Sequence, residues 1–378
     1  MGTYNKIDNV TYHIIEEGII LPQKIMGDYP MWGLGGVCDK DNNFIEASFY
    51  DGGWATCGGK YDWQSEAEEY VDSYAVYIGL FFMHWGHFLV DLTGRMHFMQ
   101  EKAFNKDMKV AYIGEQKPCG NYLEFLHLLG IQDEQLYQVN VPTRFKRVYL
   151  PECSNKSCSY YSAQFIRTFE SVAKAALKTD CDIKNYDHVY FSRRAFNKAI
   201  GTEFGEELIQ ECLKSCGDEV IYPEQLTLTQ QIHIWNHAKS ITCMNGTLPL
   251  GCVFAYLNKP KLTVLNKTSL PHENLSMFLQ MMGQKATMVD IYSEPIEGYP
   301  QNIGAGPFLF TITDEFRQYV IERGGNICYS QEQIDDAYSK NIKAYKRAIK
   351  GDKEKMIMWA SKNIPSPVKK VIHKVLRR

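Results

Sequence analysis

The stretch from 188 to 265 constrains the fold most. Short apolar runs at 188–192 (HVYFS), 219–222, 240–244 and 261–265 alternate with segments of helical period. Those segments lie at 203–215, 227–238 and 246–257. The first carries Leu208, Ile209 and Leu213 on one face, and the last ends at Asn258-Lys-Pro260. Thr227-Leu-Thr-Gln230 has the spacing of a capping box. Strands joined through single helices pair in parallel, and the helices then cover both faces of the sheet. We therefore expect a Rossmann-like domain over 183–305.

The residues before it alternate less regularly. Gly and aromatic residues crowd 32–36 and 51–59 and read as turns and short strands. The stretch 66–79 suits either a helix or a buried strand. Phe88, Leu92, Met96 and Met99 recur at threes and fours, which predicts a helix over 85–104. Strands follow at 109–114 and 147–150, with helices at 122–129 and 160–177. The expected class is α/β, with an N-terminal α/β domain over 1–182. Helices over 306–350, interrupted at Gly324-Gly325, should pack back on the body. A basic tail covers 351–378.

Charge bears on partners. The chain has 378 residues and a net charge of −3, with 45% hydrophobic and 22% charged residues. This composition excludes a disordered or collagenous chain and a surface built throughout for nucleic acid. The charge is sorted: 350–378 carries +7 and the rest −10. In 366–378, Val368, Val371, Ile372, Val375 and Leu376 share one helical face, and Lys369, Lys370, Lys374, Arg377 and Arg378 fill the other. A basic amphipathic helix of this kind lies on anionic membrane surfaces. The apolar run at 74–83 is too short to span a bilayer. The polar N-terminus reads as no secretory signal, and eleven cysteines without a Cys-x-x-Cys pair read as a reduced, cytoplasmic protein.

Three motifs carry chemistry. In His84-Trp-Gly-His-Phe-Leu-Val-Asp91, a helix brings His84, His87 and Asp91 to one face, where an imidazole or carboxylate serves as general base or holds one. His84 and Trp85 would then border the cleft at whose mouth this group sits. Tyr190-Phe-Ser-Arg-Arg194 ends a strand of the parallel sheet, and ligands bind at the carboxyl ends of such strands. Arg193 and Arg194 there suit a diphosphate, since guanidinium holds phosphate oxygens in pairs. Thr242-Cys-Met-Asn-Gly-Thr-Leu248 runs from strand through Asn245, Gly246 and Thr247 into a helix, a turn that favours phosphate. Asp39-Lys-Asp41 and Asp180-Cys-Asp182 lie in polar stretches and read as solvated loops. No obligatory metal or other cofactor is expected.

In this order the motifs resemble glycosyltransferase family 61, a family linked to capsular polysaccharide biosynthesis. The resemblance rests on 84–91, on 190–194, and on Leu228-Thr-Gln-Gln-Ile232 with Asn245-Gly-Thr-Leu248, and covers about 70–270. It implies a bacterial, GT-B-like enzyme: two Rossmann-like domains facing across a cleft. It implies inverting transfer from a nucleotide sugar, usually a UDP-sugar, to a growing, lipid-linked cell-surface glycan at the inner face of the membrane. Carried over, Asp91 or His87 is the base, with Glu203 as runner-up. Arg193, Arg194, Gln231, Asn245, Gly246, Thr247 and Leu248 belong to the nucleotide-sugar site. Asn245, Thr202 and Asn266 depart from the family's usual residues. The alternatives are a polysaccharide-modifying transferase using another activated donor, and a non-catalytic glycan-binding subunit.

Overall fold

The computed structural model describes residues 3–27, 29–63, 69–200, 202–292, 299–300, 303–304 and 306–363. The tail at 364–378, with Lys369, Lys370, Lys374, Arg377 and Arg378, lies outside them.

Two main sheets build the molecule. The first has seven strands: Tyr12–Glu16 (β1), Ile19–Lys24 (β2), Leu34–Cys38 (β3), Glu69–Leu80 (β4), Lys109–Ile113 (β5), Leu136–Gln138 (β6) and Thr143–Pro151 (β7). Their order is β3-β2-β7-β4-β5-β6, with β1 also on β7. The run β7-β4-β5-β6 is parallel, and β1, β2 and β3 join antiparallel. The second sheet has five parallel strands: His188–Phe191 (β8), Glu219–Ile221 (β9), Ser240–Met244 (β10), Lys261–Asn266 (β11) and Ala286–Asp290 (β12). Their order, β9-β8-β10-β11-β12, is that of a doubly wound sheet.

Helices Asn121–Leu128 (α1), Ala163–Ala176 (α2) and Leu228–His237 (α3) belong to the layer between the sheets. One buried cluster joins Val76, Ile78 and Tyr112 of the first sheet to Phe125, Phe169 and Trp235 of the helices and to Phe191, Ile241 and Val264 of the second. The sheets thus share a core across residue 182. Glu124 of α1 adds a polar tie: its carboxylate accepts the first backbone N–H groups of α3, from Leu228 and Thr229, at 2.8 Å each. A carboxylate at a helix N-terminus satisfies orphan donors and the helix dipole together. On the far face of the second sheet, Tyr190, Met244 and Leu265 pack against Phe316, Val320, Ile334 and Tyr345 of the C-terminal helices Asp314–Glu322 and Gln331–Asn363.

One open alternative is resolved and three local expectations change. The segment 69–80 is a strand; as a central parallel strand buried on both faces it lacks clean alternation. The helix expected over 85–104 is broken. It comprises the turn Trp85–His87, a π-type turn at Phe88–Leu92 and a 3-10 turn at Met96–Gln100. Long-range partners take the carbonyls that would continue it: Asn155 donates to Val90 O at 2.6 Å and Ser154 Oγ to Gly94 O at 2.6 Å. Glu203 lies in a short strand, Glu203–Phe204, paired with Phe308–Leu309, and the helix starts only at Glu206. The segment after Gly246 winds as a 3-10 helix, Leu248–Phe254. The capping box at Thr227 and Gln230 is present.

Candidate functional site

The histidine turn follows β4. His84 caps it, its ring accepting the His87 N–H at 3.4 Å, and the two imidazoles lie 4.3 Å apart. The wider winding at Phe88–Leu92, a geometry common at functional sites, sets Asp91 beneath His87. Asp91 Oδ2 lies 2.9 Å from His87 Nδ1. Its other oxygen accepts a 2.5 Å hydrogen bond from the Tyr50 hydroxyl. Burial and the neighbouring Asp91 carboxylate push the Tyr50 phenol well above its ordinary range, so it remains a donor. The Asp91 side chain is 1% exposed and His87 30%. Asp91 is therefore enclosed with both oxygens engaged, while His87 faces outward with Nε2 not engaged by Asp91.

Aromatic rings frame this pair. Trp54 stacks on His87 at 4.8 Å, and Trp32 stacks on Tyr50 at 5.6 Å. Trp85 turns inward instead, stacked on Phe88 at 5.4 Å and edge-on to Tyr122, so it belongs to the packing.

The second sheet supplies cations at the carboxyl ends of its strands. Beyond β8, Glu206 Oε1 accepts from Tyr190 OH, Ser192 Oγ and Arg193 N at 2.7–2.9 Å, which pins the turn. Burial raises the Glu206 carboxyl pKa against those hydrogen bonds. The Arg193 guanidinium meets Glu203 at 2.9 Å. Beyond β11, Lys267 Nζ meets the same carboxylate at 3.1 Å and lies 4.3 Å from the centre of the Phe308 ring. Burial pulls the Lys267 amine down, and Glu203 opposes that shift. Glu203 and Lys267 side chains are only 3% and 4% exposed. Arg194 points elsewhere: it is exposed and acts electrostatically on Glu211.

Beyond β10, Asn245 donates to Asn266 Oδ1 at 3.0 Å, and Asn266 donates to Asp290 at 2.7 Å. Asn245 Oδ1 accepts from His272 Nδ1 at 2.9 Å. The Asn245 and Asn266 departures thus form one amide chain across three strand ends. Gly246 has φ +134°, and a Cβ there would lie 3.7 Å from Lys267 Nζ. A Cβ on Gly86 would lie 3.0 Å from Thr247 Oγ1, so the histidine turn and the Gly246 turn touch. Leu248 packs on the main core. Gln231 donates to the carbonyls of Pro223 and Leu226 and secures the loop before α3.

Sequence reasoning missed Lys267, Tyr50 and Trp54. Lys267 had a signal, its place just after an apolar parallel strand; Tyr50 and Trp54 had only the Gly-rich aromatic context. Asp39 accepts from Asn43 in an exposed loop, and Asp180 and Asp182 are exposed after α2. Among the described residues no cluster of three or more His, Cys, Asp or Glu is arranged to hold a metal, and no helix is long and apolar enough to cross a membrane.

Residues 85–265 match the family model described as Glycosyltransferase 61. The protein is a glycosyltransferase. The matched span runs from the histidine turn to the end of β11 and includes His87, Asp91, Arg193 and Gly246. No curated protein matches the chain.

His272 gives the glycosyltransferase an acid-sensitive joint. Burial, and then Lys267, push its pKa down to about 4. Its folded pKa lies below the unfolded value of roughly 6.5. The stability linked to neutral His272 is therefore present above that value and lost as pH falls toward 4. Denaturation midpoints should drop over this window in wild type and drop less in His272→Gln. Equal slopes in the two proteins would refute the assignment.

Proposed function

We propose that the enzyme transfers a sugar, with inversion, from a nucleoside diphosphate sugar to a glycan acceptor. UDP is the expected nucleotide, and a lipid-linked cell-surface glycan is the expected acceptor. The reading treats the two sheets as a GT-B-like pair whose strand ends face one another. The observation that carries it is the contact of Gly86 with Thr247, which joins a His–Asp pair to the cations Arg193 and Lys267.

In this mechanism His87 Nε2 takes the proton of the acceptor hydroxyl. The oxygen attacks the anomeric carbon from the face opposite the diphosphate, and the bond from that carbon to the diphosphate oxygen breaks. The Asp91 carboxylate holds the imidazole in one tautomer and stabilises the imidazolium. Arg193 and Lys267 stabilise the charge that grows on the leaving diphosphate, and Gly246 lets the backbone approach it. Glu203 holds the two cations and is enclosed by them, which favours His87 over it as base. Arg194 and Gln231 have no part in this reading.

We further propose that the chain works on the cytoplasmic face of a bacterial membrane, drawn there by the basic tail, and needs no bound metal. Thermal stabilisation by a panel of nucleotides, with and without EDTA, tests the reading. A ligand that binds only the folded state at a hundredfold excess over Kd adds about 2.7 kcal/mol. UDP or another nucleoside diphosphate should raise the melting temperature, and EDTA should leave that rise intact. No shift with any nucleotide would defeat the proposal and favour a different activated donor or a glycan-binding role.

A further inference from the structure

We propose that Trp54 forms a sugar subsite one unit behind the reacting sugar, so that the acceptor is an oligosaccharide whose penultimate sugar lies on the outer face of that indole. The inference rests on the reading of His87 as the base.

Trp54 sits in the turn of a hairpin, Tyr50–Asp51 with Thr56–Cys57. Gly52 N donates to Ala55 O at 2.9 Å, Gly53 N donates to Asp51 at 2.8 Å, and Lys156 pairs with Asp51 at 2.6 Å. Trp54 is nevertheless 49% exposed. The hairpin therefore holds a large aromatic side chain in a fixed turn and leaves half of it in solvent.

The ring geometry says which face is open. Trp54 and His87 are nearly parallel, 26° apart with centroids at 4.8 Å. Trp32 lies 5.2 Å from Trp54 and 5.6 Å from His87, steeply inclined to both at 86° and 72°. A ring almost equidistant from two stacked rings and nearly perpendicular to them stands beside the stack. Trp32 therefore covers one shared edge, His87 covers the inner face of Trp54, and neither covers the outer face.

A pyranose presents a flat face of C–H groups that suits an indole, while its hydroxyls stay in water. A sugar touching the outer face at roughly 4 Å would lie about 9 Å from the His87 ring, given the 4.8 Å stack. The hydroxyl that gives its proton to His87 must come within about 3 Å of it. One sugar ring cannot do both, so the reacting sugar and the stacked sugar are neighbours in a chain. Trp54 lies outside the matched segment 85–265, so the family match alone does not assign it.

The test uses the full chain with the UDP-sugar it hydrolyses fastest and octyl mono- and disaccharide acceptors that share one terminal sugar. Wild type should prefer the disaccharide in kcat/KM by about tenfold, the scale of one aromatic stacking contact. Trp54→Ala should abolish that preference and Trp54→Phe should keep part of it. A merely structural role would depress both acceptors equally and leave the ratio intact, which would overturn the inference. So would a wild-type enzyme indifferent to acceptor length. Absence of both hydrolysis and transfer with every UDP-sugar would instead remove the proposed function, and this subsite with it.

Discussion

His87→Ala is expected to lower kcat by a hundredfold or more, within the roughly 10²–10⁴-fold range of a general base, and to leave nucleotide binding in place. The expectation follows from exposure and partners. His87 alone of the His–Asp pair reaches solvent, and Asp91 is enclosed with both oxygens occupied. Asp91→Asn keeps the shape but replaces a charged acceptor with an amide, so it no longer enforces one imidazole tautomer. It should lower kcat with little change in the thermal shift produced by UDP. Tyr50→Phe removes one of the two anchors of Asp91 and should act in the same direction, less strongly. Steady-state kinetics beside thermal shifts separates the steps. A His87→Ala enzyme that keeps more than about a tenth of wild-type kcat would rule His87 out as base.

Arg193→Ala is the complementary experiment. Removing one preorganised donor from a developing negative charge costs about 10²–10³-fold in kcat. Here the loss should extend to binding, because the same group would hold the ground-state diphosphate, so the UDP thermal shift should vanish as well. Arg193→Lys should restore only part of the activity, since an ammonium lacks the planar fork of donors. Glu203 would still be paired with Lys267, so Arg193→Ala does not strand a buried carboxylate. Its melting temperature without nucleotide is the control for folding. Unchanged turnover together with an unchanged UDP shift would remove Arg193 from the site. Arg194→Ala should behave as a surface change, because that side chain is exposed near Glu211.

Much of the second sheet was legible. The strands at 188–191, 219–221, 240–244 and 261–266 and the helix Leu228–His237 match the period read from the sequence to within a residue or two. Alternation of period 2 and period 3.6 is a local signal, and each element there buries a face that its own spacing displays. Helix Glu273–Met282 and strand Ala286–Asp290 lay inside the expected domain but were not separately read. The histidine turn was legible as a cluster: the i, i+3 and i+7 spacing of His84, His87 and Asp91 does bring the first two rings together and the second pair into hydrogen bonding. Its winding was not, because the carbonyls of Val90 and Gly94 are taken by Asn155 and Ser154 some sixty residues on. Glu203 failed as a helix start for a similar reason, since its backbone pairs with Phe308.

The sequence by itself determined the α/β class, the parallel order of local units and the residue types gathered at the strand ends. Only the tertiary structure decided which of them work together. Tyr50 meets Asp91 across 41 positions, Lys267 meets Glu203 across 64, and Gly86 touches Thr247 from the other sheet. It also gave Arg193 and Arg194, adjacent in sequence, different carboxylates to act on, Glu203 and Glu211. Periodicity records which face of an element is buried. It holds no record of which distant side chain completes a hydrogen bond or an ion pair, because that partner is chosen by how whole sheets pack.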